Sequence, residues 1–348
     1  MNIVRPLSKR LAGGKLAVLH RPFMATYVRR HLHSWFPGHT FIEIRIRDYS
    51  AVPFKKSIAY TVKLRDPKNA FVEKEIRANI PSLDTTAEAR NADAAMRTIW
   101  SQPDHQAHLP ISRPLGFDKS LRTLLYESVP GDTLTNILRR QRLRARSYVQ
   151  EAGRWLARLH AERIPYGRRR SMALEHRETF YFRLNFGRYY PPCLDEASLL
   201  LDRFLAVRKR LDADIQRCAI MNHGDFSPNN VIIDVRKRKL SVIDFGNARR
   251  FDPMSDLADS VIQLSLFSWQ WNLPHAVVSR LKTAFFRSYE QLQPLSHAQR
   301  FRFHVFTAWW SLQSLSYILD TFHDPRKHKK SIIRESLARA RNALATRR

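Results

Sequence analysis

The chain has 348 residues, 44% of them hydrophobic and 11% aromatic, with 60 Lys and Arg against 31 Asp and Glu for a net charge of +29. That length and apolar content exclude a disordered or coreless polypeptide and allow one large domain or two lobes. Two cysteines without CxxC spacing, Cys193 and Cys218, exclude a disulfide framework and fit a reduced, cytoplasmic home, and no apolar run of about eighteen residues offers a membrane span.

The charge is clustered. The first forty residues hold seven basic side chains (Arg5, Lys9, Arg10, Lys15, Arg21, Arg29, Arg30) and no acid, and Arg139–Arg170 holds eleven arginines against Glu151 and Glu162. Such fields draw polyanions: nucleic acid, anionic lipid headgroups or phosphorylated sugars. Residues 1–36 therefore read as a basic N-terminal arm, with exposed aromatics in "HLHSWF" and the acid-poor look of a targeting segment.

From residue 37 the pattern changes. "TFIEIRIRDYSAVPFKKSIAYTVKLRD" alternates apolar and polar side chains, which predicts a β-hairpin over Phe41–Tyr49 and Ser57–Leu64. "NAFVEKEIRANI" has helical spacing and ends at Pro81, Ala87–Trp100 is a second predicted helix, and "LRTLLYESV" is a short strand stopped by Pro130 and Gly131. Residues 37–129 make a small N-terminal lobe.

The remainder, 130–348, reads as a larger helical lobe. Asp132 or Thr133 is placed to cap "LTNILRRQRL", and Tyr148–Ala161 carries Trp155, Leu156 and Leu159 opposite an arginine face. Two β-like runs, "VIID" and "LSVID", then interrupt, joined by the charged turn "VRKRK". Four more helices follow at Asp256–Phe267, His275–Tyr289, Ala298–Leu319 and Ser331–Thr346. A β-rich beginning and a helical remainder predict an α+β protein in two lobes.

Chemistry concentrates in "MNHGDFSPNNVIIDVRKRKLSVIDFGNARRFDP", Met221–Pro253. Asn230 follows Asp225 by five residues, where the loop closes into the first β-like run. The charged turn then returns the chain so that Asp244, ending the second run, can lie beside Asn230. An Asp carboxylate with an Asn carbonyl oxygen makes a hard, oxygen-only site suited to Mg²⁺ shared with phosphates. Asp225 is left to accept a proton from a hydroxyl, which completes the parts needed for phosphoryl transfer.

These residues carry a resemblance. "HGDFSPNN" resembles the catalytic loop of the aminoglycoside phosphotransferase and choline kinase family, relatives of the protein kinases, and "VIDFGNARRFDPMSDLAD" is similar to the family's metal-binding segment. "LLYESVPGDTL" looks like its adenine-binding hinge, and "GRWLARLH" like the helix before the catalytic loop. The resemblance implies a bilobal protein-kinase-like fold that uses ATP and Mg²⁺. It implies that Asp225 orients or deprotonates the acceptor hydroxyl and that Asn230 and Asp244 hold the metal. It further implies that Glu127 and Val129 meet adenine through backbone groups. Lys63, in "YTVKL", takes the strand position of the phosphate-gripping lysine, with an ion-pair partner on the next helix: Glu75, or Glu73 as the alternative. The turn before Lys63 departs from the pattern because it has no glycine, and leaves Lys55, Lys56 and Ser57 to meet phosphate by side chain.

Beside these, Asp256 reads as a brace for the catalytic loop, and His223 and His160 as packed, hydrogen-bonded residues. The pairs His31/His33 and His105/His108 lack the company a metal site needs. "ETFYFRLNFGRYYPP" mixes aromatic and basic side chains and marks Arg183, Arg188 and Tyr189 for an acceptor pocket or for packing. So basic a chain suits a neutral or anionic acceptor, a sugar, glycolipid or metabolite, better than a cationic antibiotic, and suits peripheral contact with an anionic membrane. The alternative is a catalytically weak kinase-like protein that binds RNA or anionic membrane through its arm. Protein-kinase activity ranks last, because no activation segment ending in A-P-E is recognisable.

Overall fold

The computed structural model describes residues 17–52, 55–82, 85–140, 145–167, 172–270, 273–321 and 329–346. The chain divides into two compact units, Met1–Pro130 with Ser241–Asn247, and Gly131–Leu240 with Ala248–Arg348.

The first unit opens on helix α1 (Arg21–Trp35), started by Pro22 and by His20, whose ring accepts the Phe23 N–H at 3.3 Å. Strands β1 (Thr40–Val52), β2 (Lys55–Arg65) and β3 (Phe71–Pro81) follow, then helix α2 (Thr86–Trp100), β4 (Arg113–Asp118) and β5 (Thr123–Glu127). They form one antiparallel sheet in the order β1-β2-β3-β5-β4. Alternation along β2 puts Ile58, Tyr60, Val62 and Leu64 on one face, where Ile44 of β1 and Ile76 and Ala78 of β3 join them. Against that face lie Phe23, Met24, Val28 and Trp35 of α1.

Two expectations are corrected here. The basic arm, as far as it is described, is not an appendage: from Arg21 it is a helix of the core, and Trp35 and Phe36, expected to be exposed, are buried. Trp35 Nε1 donates to the Leu115 carbonyl at 3.0 Å, and the Tyr60 hydroxyl donates to the Val18 carbonyl. Residues 1–16 lie outside the described residues. Second, "NAFVEKEIRANI" is the strand β3, not a helix. Its apolar residues at 72, 76 and 80 satisfy a helical period, and Glu, Lys and Arg are good helix formers. Pairing with β2 on one side and β5 on the other overrides that local preference. Strand β4 was not foreseen, since Pro114 and Gly116 are residues that weaken strands; the register shifts between them.

The second unit is helical around two small ladders. It begins with β6 (Asp132–Thr133), α3 (Leu134–Arg140), α4 (Ala145–Ala161), α5 (Met172–Tyr189), α6 (Leu194–Arg210) and α7 (Asp212–Cys218). Then come β7 (Ile220–Asn222), β8 (Val231–Asp234), β9 (Lys239–Val242) and β10 (Arg249–Phe251). Helices α8 (Pro253–Gln270), α9 (His275–Leu292), α10 (His297–Thr321) and α11 (Lys329–Ala345) close the chain. Strand β7 pairs with β10, and β6, β8 and β9 form the second ladder in the order β6-β8-β9.

Two glycines fix close approaches. A Cβ on Gly131, at φ +130°, would stand 2.3 Å from the Ile233 carbonyl oxygen, and one on Gly153 would stand 2.4 Å from the Phe285 carbonyl oxygen. Only glycine lets the segment after Pro130 run against β8, and α4 run against α9.

Candidate active site

Strand β7 feeds the loop His223–Asn230 and β8 leaves it, so both ends of the loop are fixed by ladders. Its backbone hangs from α8. The buried Asp256 carboxylate accepts the N–H groups of His223 at 2.6 Å and Gly224 at 2.9 Å. The Ser260 hydroxyl donates to the Phe226 carbonyl at 3.0 Å, and Asn222 donates its side-chain amide to the Asp252 carbonyl at 2.9 Å. Phe226 stacks on Trp155 of α4 with centroids 5.3 Å apart. Fixing the loop through its backbone leaves side chains to act. Asn230 donates its Nδ2 to the Asp225 carbonyl at 2.9 Å and to Asp225 Oδ2 at 3.1 Å.

The brace is itself paired. Arg302 of α10 donates Nε to Asp252 at 2.5 Å, and His160 Nε2 lies 3.5 Å from Asp256 while its Nδ1 meets the Tyr289 hydroxyl at 2.8 Å. Burial opposes ionisation of Asp256, but the hydrogen bond and charge of His160, with His223 and Arg249 behind it, hold its carboxyl below the usual range. Burial raises Asp252 against the pull of Arg302. Asp259, one helical turn on, is sealed from solvent; burial and then the Asp225 charge push it well above the carboxylate range. His223 is fully buried, accepts the Asp225 N–H on Nδ1 at 3.3 Å and sits edge-on to Phe226.

Asp225 and Asn230 lie in the second unit and Asp244 in the first. Asp244 has φ +66°, a backbone conformation unfavourable for a residue with a side chain and concentrated at functional turns. The turn after it is tied to α2, where Asn91 donates its side-chain amide to the Gly246 carbonyl at 2.9 Å. Glu88, in the first turn of α2, is also there: a Cβ on Gly246 would lie 3.5 Å from Glu88 Cβ and 3.6 Å from Asp244 Oδ1.

Lys63 is on a strand as expected, but its expected partner on the next helix needs correcting. Lys63 is on β2, with its ammonium 4.7 Å from the centre of the Phe71 ring, and in register it faces Glu43 and Glu73. Glu75 is on β3 opposite Thr61; it pairs with Arg47 and, at 3.4 Å, with Arg77. The helix that follows is α2, and the acid it brings to the Asp244 turn is Glu88. Reading β3 as a helix hid this residue; its place in the first turn of the next predicted helix was the available signal. On β3 the cations are Lys74, 2.7 Å from Glu127, and Arg77, whose Nε donates to the Ser128 hydroxyl at 3.3 Å.

At the end of β5, Ser128 donates its N–H to the Glu75 carbonyl at 2.8 Å. In extended chain the Glu127 carbonyl and the Val129 N–H then turn to the other side of β5, where Arg113 of β4 stands in register with Glu127. The Glu127 side chain is engaged by Lys74 and, at 3.9 Å, by Arg113. The turn between β1 and β2 includes residues 53–54, outside the described residues.

Of the marked acceptor residues, Arg183 pairs with Asp202 at 2.5 Å. The Tyr189 and Tyr181 hydroxyls both donate to Asp320, at 3.0 and 2.9 Å, and Arg188 lies over the Tyr189 ring. Neither histidine pair joins a metal-holding group among the described residues.

In the second unit the Asn230 amide nitrogen is committed to Asp225, which leaves its Oδ1 as a neutral oxygen donor, and in the first unit Asp244 carries a carboxylate; each is an oxygen donor of the kind a magnesium ion takes. No helix among the described residues is long and apolar enough to cross a membrane.

A family model described as "Phosphotransferase enzyme family" matches residues 57–299, well over half the chain. None of the curated proteins matches. Among solved structures, the chain is similar to an amicoumacin kinase solved with AMP-PNP and Ca²⁺, at 13% identity and a TM-score of 0.57 over 93% of this chain and 96% of that one. An ethanolamine kinase of Plasmodium vivax is similar at 14% identity and TM-score 0.50, over 93% of this chain and 88% of that one. A choline/ethanolamine kinase family protein of Mesorhizobium loti gives 14% and 0.50, over 79% and 85%. The antiparallel first unit, the helical second unit and these likenesses make the fold protein-kinase-like, as the α+β expectation had it. With a braced Asp225–Asn230 loop inside the matched region, the chain belongs to the phosphotransferase enzyme family, whose members move phosphoryl groups to hydroxyl acceptors.

Proposed function

We propose that the protein is an ATP- and Mg²⁺-dependent kinase of a small hydroxyl-bearing molecule that is neutral or anionic. The observation that carries this is the Asp225–Asn230 pair, held by side-chain hydrogen bonds on a loop whose backbone is pinned to Asp256. In this reading Asp225 Oδ orients the acceptor hydroxyl and takes its proton, and Asn230 and Asp244 hold the metal. Bound magnesium supplies charge neutralisation on the transferred phosphoryl group. Glu127 and Val129 receive adenine through their backbone, and Lys63, Lys74 and Arg77 are the basic side chains on offer to the phosphates. An excess of 60 basic over 31 acidic residues disfavours a polycationic acceptor.

The test is ADP release with a panel of hydroxyl acceptors sorted by charge, on the wild type and on Asp225→Ala. Turnover is expected with neutral or anionic acceptors. The substitution should lower it by about 10²–10⁴-fold while leaving Mg·ATP affinity nearly unchanged. Equal turnover in the two proteins would remove Asp225 from the chemistry, and fastest turnover of an aminoglycoside would overturn the acceptor class.

A second reading, a weak kinase that works at an anionic membrane, is favoured by the outer face of α5. Phe180, Tyr181 and Leu184 are each more than half exposed there, with Arg177 and Arg188 also exposed on the same helix. Co-flotation with vesicles of anionic but not neutral lipid is its expected mark, and equal recovery with both would dismiss it.

A further inference from the structure

Strand β8 leads into "VRKRK", Val235–Lys239, whose last residue opens β9, and all five side chains are exposed. The corner has a fixed shape. Asp234 Oδ1 accepts the N–H of Arg236 at 3.0 Å and of Lys237 at 3.1 Å, which closes the turn through its backbone. Arg238 follows at φ +51°, in the left-handed region that suits Gly or Asn. Local backbone preference therefore works against a cation at 238, where Gly or Asn would make the same turn with less strain.

A chain with 60 basic and 31 acidic residues must leave many cations without an acid. Several exposed arginines still meet one close in sequence: Arg97 meets Asp93, Arg140 meets Asp132 and Arg217 meets Asp214. Among the described residues none of Arg236, Lys237, Arg238 and Lys239 has an ion-pair partner. The one carboxylate beside them, Asp234, is bound to the turn's own backbone, and the next acid along the chain is Asp244. Four consecutive positive charges are thus held on one exposed corner.

Like charges so close repel one another, and anions gathered around them relieve the repulsion. A small phosphorylated molecule is a poor match, because it is recognised in a concave site and every residue of this turn stands exposed. Single-stranded nucleic acid gains much of its affinity from base stacking, and Val231–Val242 contains no aromatic side chain. Anionic lipid headgroups match better. They move in the membrane plane and collect around an exposed charge, and Val235, 45% exposed beside Arg236, can enter the apolar boundary beneath them.

We propose that the turn between β8 and β9 docks the protein on the headgroups of an anionic bilayer. This docking rests on the second reading above, a kinase that works at an anionic membrane, and adds to the apolar face of α5 a separate electrostatic contact. The test is co-flotation of the full chain with phosphatidylcholine vesicles, with and without phosphatidylglycerol, at low and raised salt. Wild type is compared with Arg236→Glu combined with Lys237→Glu, and with a control of equal charge, Arg280→Glu combined with Arg287→Glu at exposed positions of α9. Asp234 holds backbone N–H groups, so the turn keeps its shape in the first variant. Wild type should float with the anionic vesicles alone, and less as salt rises. Each basic side chain at an anionic surface strengthens partitioning about fivefold, so the turn variant should lose at least about 25-fold and the control far less.

Leu184→Ser on α5 separates the two elements: if it abolishes flotation and the turn variant does not, the turn is overturned and the membrane reading stands. Equal flotation with neutral vesicles, or none with either kind, removes the membrane reading and the turn with it. Equal losses in the turn variant and the control would assign the effect to net charge and overturn the site. A single-stranded RNA oligonucleotide is titrated into the same proteins. A turn variant that floats like wild type but has lost the RNA would overturn the lipid and make nucleic acid the partner.

Discussion

Both units carry exposed ion pairs, but among the described residues the sealed ones all lie in the second unit. On the sheet of the first, ion pairs such as Arg47–Glu75 and Lys74–Glu127 keep a partly exposed partner, with 65% of the Arg47 side chain and 35% of Lys74 open to solvent. In the second, Arg302–Asp252, Arg208–Glu175 and His160–Asp256 are sealed, none of these side chains more than 6% exposed. Water competes with the first set at little cost, so those pairs break and reform and fix nothing. It cannot reach the second set, where a lost partner leaves a charge stranded. Two of the sealed pairs, His160–Asp256 and Arg302–Asp252, stand behind the His223–Asn230 loop, whose backbone Asp256 holds and whose preceding residue Asn222 bonds the Asp252 carbonyl.

The sharpest test of that contrast is Asp256→Ala. It strands the N–H groups of His223 and Gly224 and leaves His160 without its carboxylate. We expect a loss of about 3–5 kcal/mol in denaturant unfolding. In whatever fraction stays folded, kcat should fall by about 10²-fold because the loop no longer presents Asp225 in line. A variant with wild-type kcat would show that the loop holds its shape without the brace.

Arg208→Ala should come next. The guanidinium is fully buried, 3.0 Å from Glu175 and 2.8 Å from Asp212, and lies over the Phe251 ring. Its removal leaves Glu175 buried and without this partner, again about 3–5 kcal/mol, with kcat preserved in the folded fraction. Replacing both partners, Arg208→Met with Glu175→Leu, should restore most of the loss. Failure of the double variant to recover would mean that the pair adds stability beyond filling its space.

Much of this was legible in the residues. The Asp225–Asn230 spacing and the two apolar runs after it placed the loop at the mouth of β8 with β9 behind it, and Asp256 opening a helix was readable as a brace; strand β7, which leads into the loop, was not readable. What was hidden had physical causes. Strand β3 carries residues that favour helix and spaces its apolar ones like a helix, so only its neighbours β2 and β5 reveal it. That error put Glu75 on a helix and passed over Glu88, the acid that the following helix brings to the Asp244 turn. The Arg208–Glu175 and Arg302–Asp252 pairs join residues 33 and 50 positions apart, and no local pattern marks a charged side chain as destined for the interior. Aromatic residues in "HLHSWF" were read as exposed because the basic residues around them dominate the local sequence.

Asp259 sharpens the contrast through pH. Burial and Asp225 hold its carboxyl protonated well above the usual range, so between the unfolded value, near 4, and the folded one the unfolded chain gives up a proton that the native state keeps. Stability from this group is complete below about pH 4 and is lost as pH rises towards the folded value. Asp259→Asn removes the proton while keeping an oxygen for Gln263, which donates to it at 3.2 Å. The variant should melt higher than wild type at pH 7.5 and equal it near pH 4. A difference independent of pH would assign the effect to packing.

Arg47→Ala gives the smallest expected change and tests the other side of the comparison. Its guanidinium meets Glu75 across strands, but most of the side chain is in water and Glu75 keeps Arg77 at 3.4 Å. Removing it strands nothing, so the loss should be at most about 1 kcal/mol and should shrink further as salt is raised. Were it to cost as much as Arg208→Ala, the sheet's charges would be structural after all, and burial would not be what separates the two units. A change confined to nucleotide KM, with stability intact, would instead mark this face of the sheet as the one that meets phosphate.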